Sequence, residues 1–272
     1  MGSGKVVITL KEKEEKVKDL RPIDDVFFEV LANDVNFCQE MLQILLEDKD
    51  LVVTDVVVQS SERNLYGRSV RLDALCILGN GKKCNVEVQR SDNDDHLRRV
   101  RFNAASIAVK DSQEGEKFEQ IEDIIVVYIS QFDIFKADRV LYHVDSTIRE
   151  TGDRVDDGLY RVFVNTKVKD GTTVSEYMEC FLKKEVNNSK FPAFTKRMNA
   201  LKHEERGLDA VCEVMEKYEQ KAAERAAKEA AIKANVESIK FMITTLNVSK
   251  EQLLQQYSEY EYREALNELS KK

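Results

Sequence analysis

The chain has 272 residues, of which 42% are hydrophobic and 34% are charged, and its formal net charge is −8. This composition supplies a sizeable core and excludes a chain that is disordered throughout. The acidic balance also argues against a protein that coats nucleic acid indiscriminately.

The cysteines and the hydropathy of the chain predict the cellular compartment of the protein. The five cysteines include no C-x-x-C pair and the three histidines lie far apart in the sequence, which argues against a disulfide framework or a structural zinc site. No apolar run approaches the roughly 20 residues that a membrane helix needs, and the Lys- and Glu-rich N-terminus lacks the apolar core of a signal peptide. We therefore expect a cytoplasmic protein with no membrane partner.

The N-terminal part of the chain predicts two helices and a strand. Residues 1–19 are rich in charged residues and predict a frayed segment. Asp24 or Asp25 can cap a helix whose apolar residues recur at helical spacing, and residues 36–46 form a second amphipathic stretch. The β-branched residues of 52–59 are typical of a strand.

A β-hairpin follows, because two apolar runs flank a turn from Gly79 to Gly81 and these residues tolerate positive φ angles. The hairpin carries Asp73 near the middle of one strand and Glu87 near the end of the other. A carboxylate among apolar neighbours costs on the order of several kcal/mol unless a cation or a hydrogen-bond donor compensates it. These two residues therefore require a partner.

A divalent cation can be that partner. Asp73, Glu87 and the backbone carbonyl of Val88, completed by waters, offer the oxygen ligands that Mg²⁺ prefers. We expect Mg²⁺, for which Mn²⁺ can substitute, rather than zinc.

Basic side chains gather around this hairpin. From residue 62 to residue 110 the chain has ten Lys and Arg against six Asp and Glu, a local charge of +4 in an acidic molecule. A helix predicted over residues 95–110 carries Arg98 and Arg101 on one edge, where their guanidinium groups can reach phosphate oxygens; Arg90 lies in the loop before it. The alternative is a helix face that is merely solvated.

The remaining elements complete the predicted order. Residues 122–130 are typical of a strand buried on both faces, residues 159–165 of one more strand, and the core order becomes αβββαβ. The chain after residue 172 is helical, with an alanine-rich helix over 209–246 and two short capped helices behind it. A helix-turn-helix DNA reader is conceivable there, but the acidic residues of this segment favour docking or a homodimer contact.

The hairpin motif resembles a known family. Asp73 within V-R-L-D-A-L and Glu87-Val88-Gln89 within N-V-E-V-Q-R are similar to the PD-(D/E)XK nuclease superfamily, and the surroundings look like its transposase-like, recombination-promoting nuclease (Rpn) branch. The resemblance covers roughly residues 20–165, including P-I-D-D-V-F-F-E-V-L. It implies a restriction-endonuclease-like α/β fold with a mixed sheet, in which the acidic pair holds the metal for DNA hydrolysis.

This resemblance also implies roles for further residues. Gln89 stands where most members carry Lys. It can orient water but cannot neutralise charge, so either the metal carries more of the electrostatic load or Arg90 or Arg98 contributes. Glu62 and Glu29 are candidates for an additional acid, each with a solvated surface role as the alternative. We expect a nuclease-like domain over 20–200 and a helical extension over 201–272 that joins two copies of the chain.

The function expected from these residues is a metal-dependent DNA endonuclease with Asp73, Glu87 and Gln89 at its centre. The second hypothesis is a catalytically weak or inactive nuclease fold that binds nucleic acid or serves assembly. The third is a purely structural ion pair of Asp73 and Glu87 with Arg71 or Arg90.

Overall fold

The computed structural model describes residues 9–59, 61–62, 70–93, 95–112 and 114–270, with the main chain alone for 61, 62, 70 and 71. Its helices are α1 (Leu10–Val17), α2 (Asp25–Ala32), α3 (Val35–Leu45), α4 (His96–Asp111), α5 (Thr173–Phe181), α6 (Pro192–His203), α7 (Glu205–Thr244), α8 (Lys250–Leu253) and α9 (Glu259–Ser270). Its strands are β1 (Val53–Val58), β2 (Ser61–Glu62), β3 (Val70–Arg71), β4 (Ala74–Leu78), β5 (Lys83–Gln89), β6 (Ile124–Ser130), β7 (Leu141–Val144), β8 (Ser146–Thr147), β9 (Arg154–Val155) and β10 (Leu159–Asn165).

A mixed sheet organises the N-terminal part of the molecule, with strands in the order β1-β4-β5-β6-β10-β7. The turn before β5 closes the antiparallel β4–β5 hairpin, and Gly81 adopts a φ of 87° there, which a residue with a Cβ rarely takes. β5 and β6 are parallel and α4 connects them, while β10 pairs parallel with β6. The α/β fold with a mixed sheet, expected from the sequence, is confirmed.

Helices cover both faces of this sheet. On one face, α4 packs Val100 and Ile107 against Val126 and Tyr128 of β6, and these side chains form one apolar cluster. On the other side of the core, α3, α5 and α6 meet through a cluster of aromatic rings whose centroids lie 4.8–6.0 Å apart: Phe37, Tyr177, Phe181, Phe191 and Phe194. The apolar interior leaves the carboxyl end of β5 as the place where polar groups meet.

The N-terminal segment differs from its expectation. The part of this expectation that concerns residues 1–8 lies outside the described residues. Residues 10–17 form α1, which begins with a capping box in which the Thr9 side chain and the Glu12 carboxylate satisfy each other's main-chain N–H groups. Val17 of this helix is fully buried. Local capping and one buried contact therefore order a segment whose composition is mostly charged.

The chain divides into two compact units, Met1–Val214 and Met215–Lys272. The second unit has a small core of its own, built from Val236 and Ile239 of α7 with Leu253 and Ala265. In α7, residues 219–231 are exposed throughout. Within the described ranges, no helix is both long and apolar enough to span a membrane. The domain boundary expected between residues 200 and 201 stays a prediction.

Candidate active site

Two carboxylates meet at the open end of the β4–β5 hairpin. The register pairs Ala74 with Val86, so Asp73 lies opposite Glu87 on the neighbouring strand. The N–H of Asp73 donates to Oε1 of Glu87 at 3.4 Å, and the N–H of Val88 donates to Oδ2 of Asp73 at 3.1 Å. Asp73 directly precedes β4 rather than lying near the middle of a strand, because pairing with β5 begins only at Ala74.

Both carboxylates lie in a poorly solvated environment. Glu87 is fully buried and Asp73 is half-buried. Burial raises the pKa of Asp73 well above its usual range, and the charge of Glu87 raises it further. Burial likewise raises the pKa of Glu87, although the Arg99 guanidinium and the Asn85 amide act in the opposite direction. The charged forms of both carboxylates are therefore unfavourable on their own, and a bound cation would offset that cost.

The oxygen atoms at this position suit a hard divalent cation. Within a strand, the N–H and C=O of one residue point to the same edge. The N–H of Val88 points toward Asp73, so its carbonyl faces that side, whereas the carbonyl of Gln89 accepts from the N–H of Gln131 on the other side. Among the described side chains no three His, Cys, Asp or Glu converge as a ready metal cage. A cation here would take two carboxylates, the Val88 carbonyl and waters.

Helix α2 brings a further acid close to the pair. Asp25, in its first turn, raises the pKa of Asp73 through its charge. Glu29, the additional acid considered from the sequence, lies one turn later on the same helix and is half-buried. The side chain of Glu62, the other candidate, lies outside the described residues. The sequence indicated Asp25 only as a helix cap, although its spacing of four residues from Glu29 places both on one helix face.

Arg99 contacts the candidate site, and the sequence did not indicate it as a site residue. Its Nη2 donates to Oε2 of the fully buried Glu87 at 3.2 Å, and its Nη1 donates to Oε1 of Gln89 at 3.0 Å. Arg99, Asn103 and Ile107 follow each other at intervals of four residues, so they lie on one face of α4, and Asn103 and Ile107 are buried. This spacing was the signal that could have indicated that Arg99 faces the sheet. In the sequence, Arg99 counted only as part of the local basic charge.

The amide groups near the pair are held by the protein. The Nδ2 of Asn85 donates to Oε1 of Glu87 at 3.0 Å. The amide of Gln89 is engaged at both ends: Oε1 accepts from Arg99, and Nε2 donates to the carbonyl of Ser91 at 2.9 Å. These contacts fix the orientation of the Glu87 carboxylate and of the Gln89 amide, which lie on the same face of β5.

The other arginines predicted for this region lie at the surface. Arg90 forms an ion pair with Asp24 at 2.8 Å, and 56% of its side chain remains exposed. Arg98 pairs with its own helix cap, Asp95, at 3.2 Å and is 77% exposed. Arg101 is exposed on α4.

The structure also bears on the structural hypothesis of an ion pair with Arg71 or Arg90. The cation that contacts Glu87 is Arg99, whereas Arg90 pairs with Asp24. The side chain of Arg71 lies outside the described residues. An ion pair at Glu87 thus exists, but with a residue that the hypothesis did not name.

A buried histidine supports the start of α4 beside this site. The ring of His96 lies 2.9 Å from the Tyr128 hydroxyl through Nδ1 and 3.0 Å from Oδ1 of Asp92 through Nε2. Tyr128 is the register partner of Glu87 on β6. These contacts tie the helix that carries Arg99 to the strand next to the acidic pair. No sequence pattern indicated this network.

Comparison with known proteins gives the family. A family model described as PD-(D/E)XK nuclease family transposase matches residues 23–245, which include the acidic pair, Gln89 and all of α4. Comparisons with curated proteins and with solved structures found no match. The family match spans most of the chain and agrees with the resemblance carried by the hairpin motif. This chain belongs to the PD-(D/E)XK nuclease family transposases.

Proposed function

We propose that this chain is a metal-dependent endonuclease that hydrolyses phosphodiester bonds of DNA, of the transposase-like, recombination-promoting type. The observation that carries the proposal is the meeting of Asp73 and Glu87 at one hairpin mouth, with Val88 donating to Asp73. Asp25 adds negative charge, and Arg99 neutralises part of the total. The remaining negative charge favours a divalent cation.

Mg²⁺ is the proposed cation, with Mn²⁺ as a substitute. Asp73, Glu87 and the Val88 carbonyl would hold it. When bound, the cation lowers the pKa of its bound water and offsets negative charge on the phosphate under attack. Gln89 lies next in line on the same face of β5. Its Oε1 accepts one hydrogen bond from Arg99 and retains a lone pair, with which it can align the attacking water.

The proposed DNA contacts are Arg90, Arg98 and Arg101. Their exposure and the local basic charge support contacts with the phosphates of DNA, which position a DNA strand without reading its sequence. We also propose a homodimer through the C-terminal helices, supported by the exposed apolar side chains of Phe241 and Tyr260, and a cytoplasmic location, in keeping with five free cysteines. Sedimentation of the full chain tests the homodimer, and a monomer would contradict it.

Plasmid cleavage tests the proposed activity. Supercoiled plasmid is incubated with the full chain and Mg²⁺, with and without EDTA, and nicked and linear products are quantified. We expect metal-dependent cleavage that falls roughly 100-fold or more in Asp73→Asn and in Glu87→Gln, because each removes a charged ligand. The matched control is Asp123→Asn, which removes an acid that pairs with Lys82 near the opposite end of β5. Absence of cleavage by the native chain, or full activity of Asp73→Asn, would contradict the proposal.

Two observations favour a second candidate, a nuclease fold that binds nucleic acid without cutting it. Gln89 is neutral and is already held at both ends, and no three His, Cys, Asp or Glu among the described side chains are placed to hold a metal ion. This candidate predicts DNA binding that persists in EDTA and in Asp73→Asn, with no cleavage under any metal. Electrophoretic mobility shift and the plasmid assay together distinguish the two.

A further inference from the structure

The buried acid of the pair and the neutral amide beside it share one cationic partner. The guanidinium of Arg99 lies against Oε2 of Glu87 at 3.2 Å and against Oε1 of Gln89 at 3.0 Å. These donors come from α4, a different element from the strand that carries both acceptors. The two contacts place a permanent positive charge beside the acidic pair.

We propose that Arg99 supplies the fixed positive charge of this active site, which Gln89 cannot supply, and holds Gln89 and Glu87 in their working orientation. The inference rests on the proposed nuclease function and deepens it. A phosphodiester is an anion, and Asp73, Glu87 and Asp25 all oppose its approach. A guanidinium at this position would offset that repulsion and contact the phosphate oxygens.

The geometry allows Arg99 to act in both roles. A guanidinium has five N–H donors in a rigid fork, and the contacts with Glu87 and Gln89 leave others for a ligand. Its side chain is 32% exposed, so it is accessible from solvent, while Glu87 behind it is fully buried. The group is thus anchored on its inner side and open on its outer side.

The position of Arg99 is also firmly defined by its helix. It lies in the first turn of α4, where Asp95 accepts from the N–H of Arg98 as the helix cap. On either side of it, the buried residues His96 and Asn103 hold the helix against the sheet. A preorganised charge of this kind costs little reorganisation when a substrate arrives.

The alternative is that Arg99 only balances the charge of buried Glu87. The two roles differ in what a charge placed at position 89 can restore. Because Gln89 is in contact with Arg99, a lysine there would bring a cation to nearly the same place from β5. A purely structural counter-ion bound to Glu87 through α4 would not be replaced in this way.

The test uses the full-length chain with four variants: Arg99→Gln, Arg99→Lys, Gln89→Lys with Arg99→Gln, and Lys110→Gln as an exposed control on the same helix. Circular dichroism verifies folding, plasmid cleavage with Mg²⁺ gives activity, and calorimetric titration of Mn²⁺ without DNA gives cation affinity. We expect Arg99→Gln to lose roughly 100-fold or more in cleavage, with Mn²⁺ bound as tightly as in the native chain or more tightly, since a nearby positive charge is gone. Arg99→Lys, which keeps the charge, should retain roughly a tenth or more of the native rate.

The double variant decides between the two roles. If Gln89→Lys restores cleavage to Arg99→Gln, the charge itself is what the site needs. If it does not, or if Mn²⁺ binding weakens in Arg99→Gln, Arg99 is a structural counter-ion and the proposal is overturned. If the native chain cuts no DNA, the nuclease function fails. The titration of Mn²⁺ then still tests the proposed charge of Arg99: binding to Arg99→Gln that is as tight as in the native chain or tighter supports it, and weaker binding overturns it.

Discussion

The main-chain N–H of Val88 donates to the Asp73 carboxylate at 3.1 Å, so the strand that follows Glu87 also orients the other acid of the pair. The reciprocal contact, from the N–H of Asp73 to Glu87 at 3.4 Å, fixes the two groups in both directions. Hydrogen bonds to main-chain N–H groups stabilise the charged form of a carboxylate, and here they act against burial and mutual repulsion. The arrangement favours a bound cation at the expense of stability without one.

The first prediction follows from that stored repulsion. Asp73→Asn should raise the free energy of unfolding in EDTA by about 0.5–2 kcal/mol, because it removes one charge and keeps an oxygen that can accept from Val88. Thermal and urea denaturation in EDTA measure the change. The control Asp123→Asn breaks an ion pair with Lys82 and should not stabilise the protein. A less stable Asp73→Asn chain would show that the pair is not strained.

The acidic pair illustrates what could be predicted from sequence. The glycine-flanked turn predicts the hairpin, and a hairpin brings Asp73 and Glu87 onto neighbouring segments. Their exact register, with Asp73 opposite Glu87 and just before β4, is given by the structure and differs from the expected place of Asp73 near the middle of a strand. The alternation of side chains along β5 likewise put Gln89 on the face of Glu87. Local rules were sufficient to bring the acids together because Glu87 lies on β5 and Asp73 directly precedes β4, and these two strands are adjacent in the chain.

The cation at this site could not be predicted in the same way. Arg99 lies 12 residues after Glu87, on α4, and its neighbours Arg98 and Arg101 have the same local signals. Which of the three faces the sheet depends on the packing of Val100 and Asn103, a tertiary property. The helix α1 was not predicted for two reasons: its burial depends on packing outside its own segment, and its local capping box of Thr9 and Glu12 was not recognised.

The second prediction concerns the corner between α6 and α7. A Cβ added at Gly207 would overlap the carbonyl oxygen of Ala200, so the two helices approach more closely than any larger residue allows. Gly207→Ala should therefore destabilise the chain by about 1–3 kcal/mol, although alanine favours helices elsewhere. Urea denaturation measures the change in the free energy of unfolding. The control is Ala227→Gly in the exposed part of α7, where only helix propensity changes. A stabilised Gly207→Ala chain would refute the close contact.

The third prediction concerns a buried lysine in α6. The Nζ of Lys202 donates to the carbonyls of Val17, Lys18 and Leu20 at 2.7–3.0 Å, where it caps the end of α1, and the residue is only 3% exposed. Lys202→Met keeps the aliphatic length but leaves these carbonyls without their donor, and should cost about 2–4 kcal/mol.

Chemical denaturation measures the stability loss in Lys202→Met, and hydrogen exchange of α1 shows whether this helix opens first. Lys196→Met, an exposed position on the same helix, serves as the control and should change stability little. Equal effects of the two substitutions would show that the contacts with α1 add nothing.

The last prediction is a pH dependence in the C-terminal unit. The pKa of Glu261 lies below its ordinary value because its carboxylate accepts from the Asn235 side chain at 2.8 Å and from the hydroxyl and N–H of Ser258. The folded state therefore binds fewer protons than the unfolded state near the ordinary glutamate pKa of about 4.3. This stabilisation is present above that pH and is lost as the pH falls through the pKa of Glu261 in the folded state.

Hydrogen exchange of α9 peptides should accordingly accelerate on acidification beyond the intrinsic pH effect, and Glu261→Gln should remove most of that dependence. Glu259→Gln, which alters only an exposed pair with Arg263, should leave it in place; if both variants behave alike, the helix cap at Ser258 is not the source.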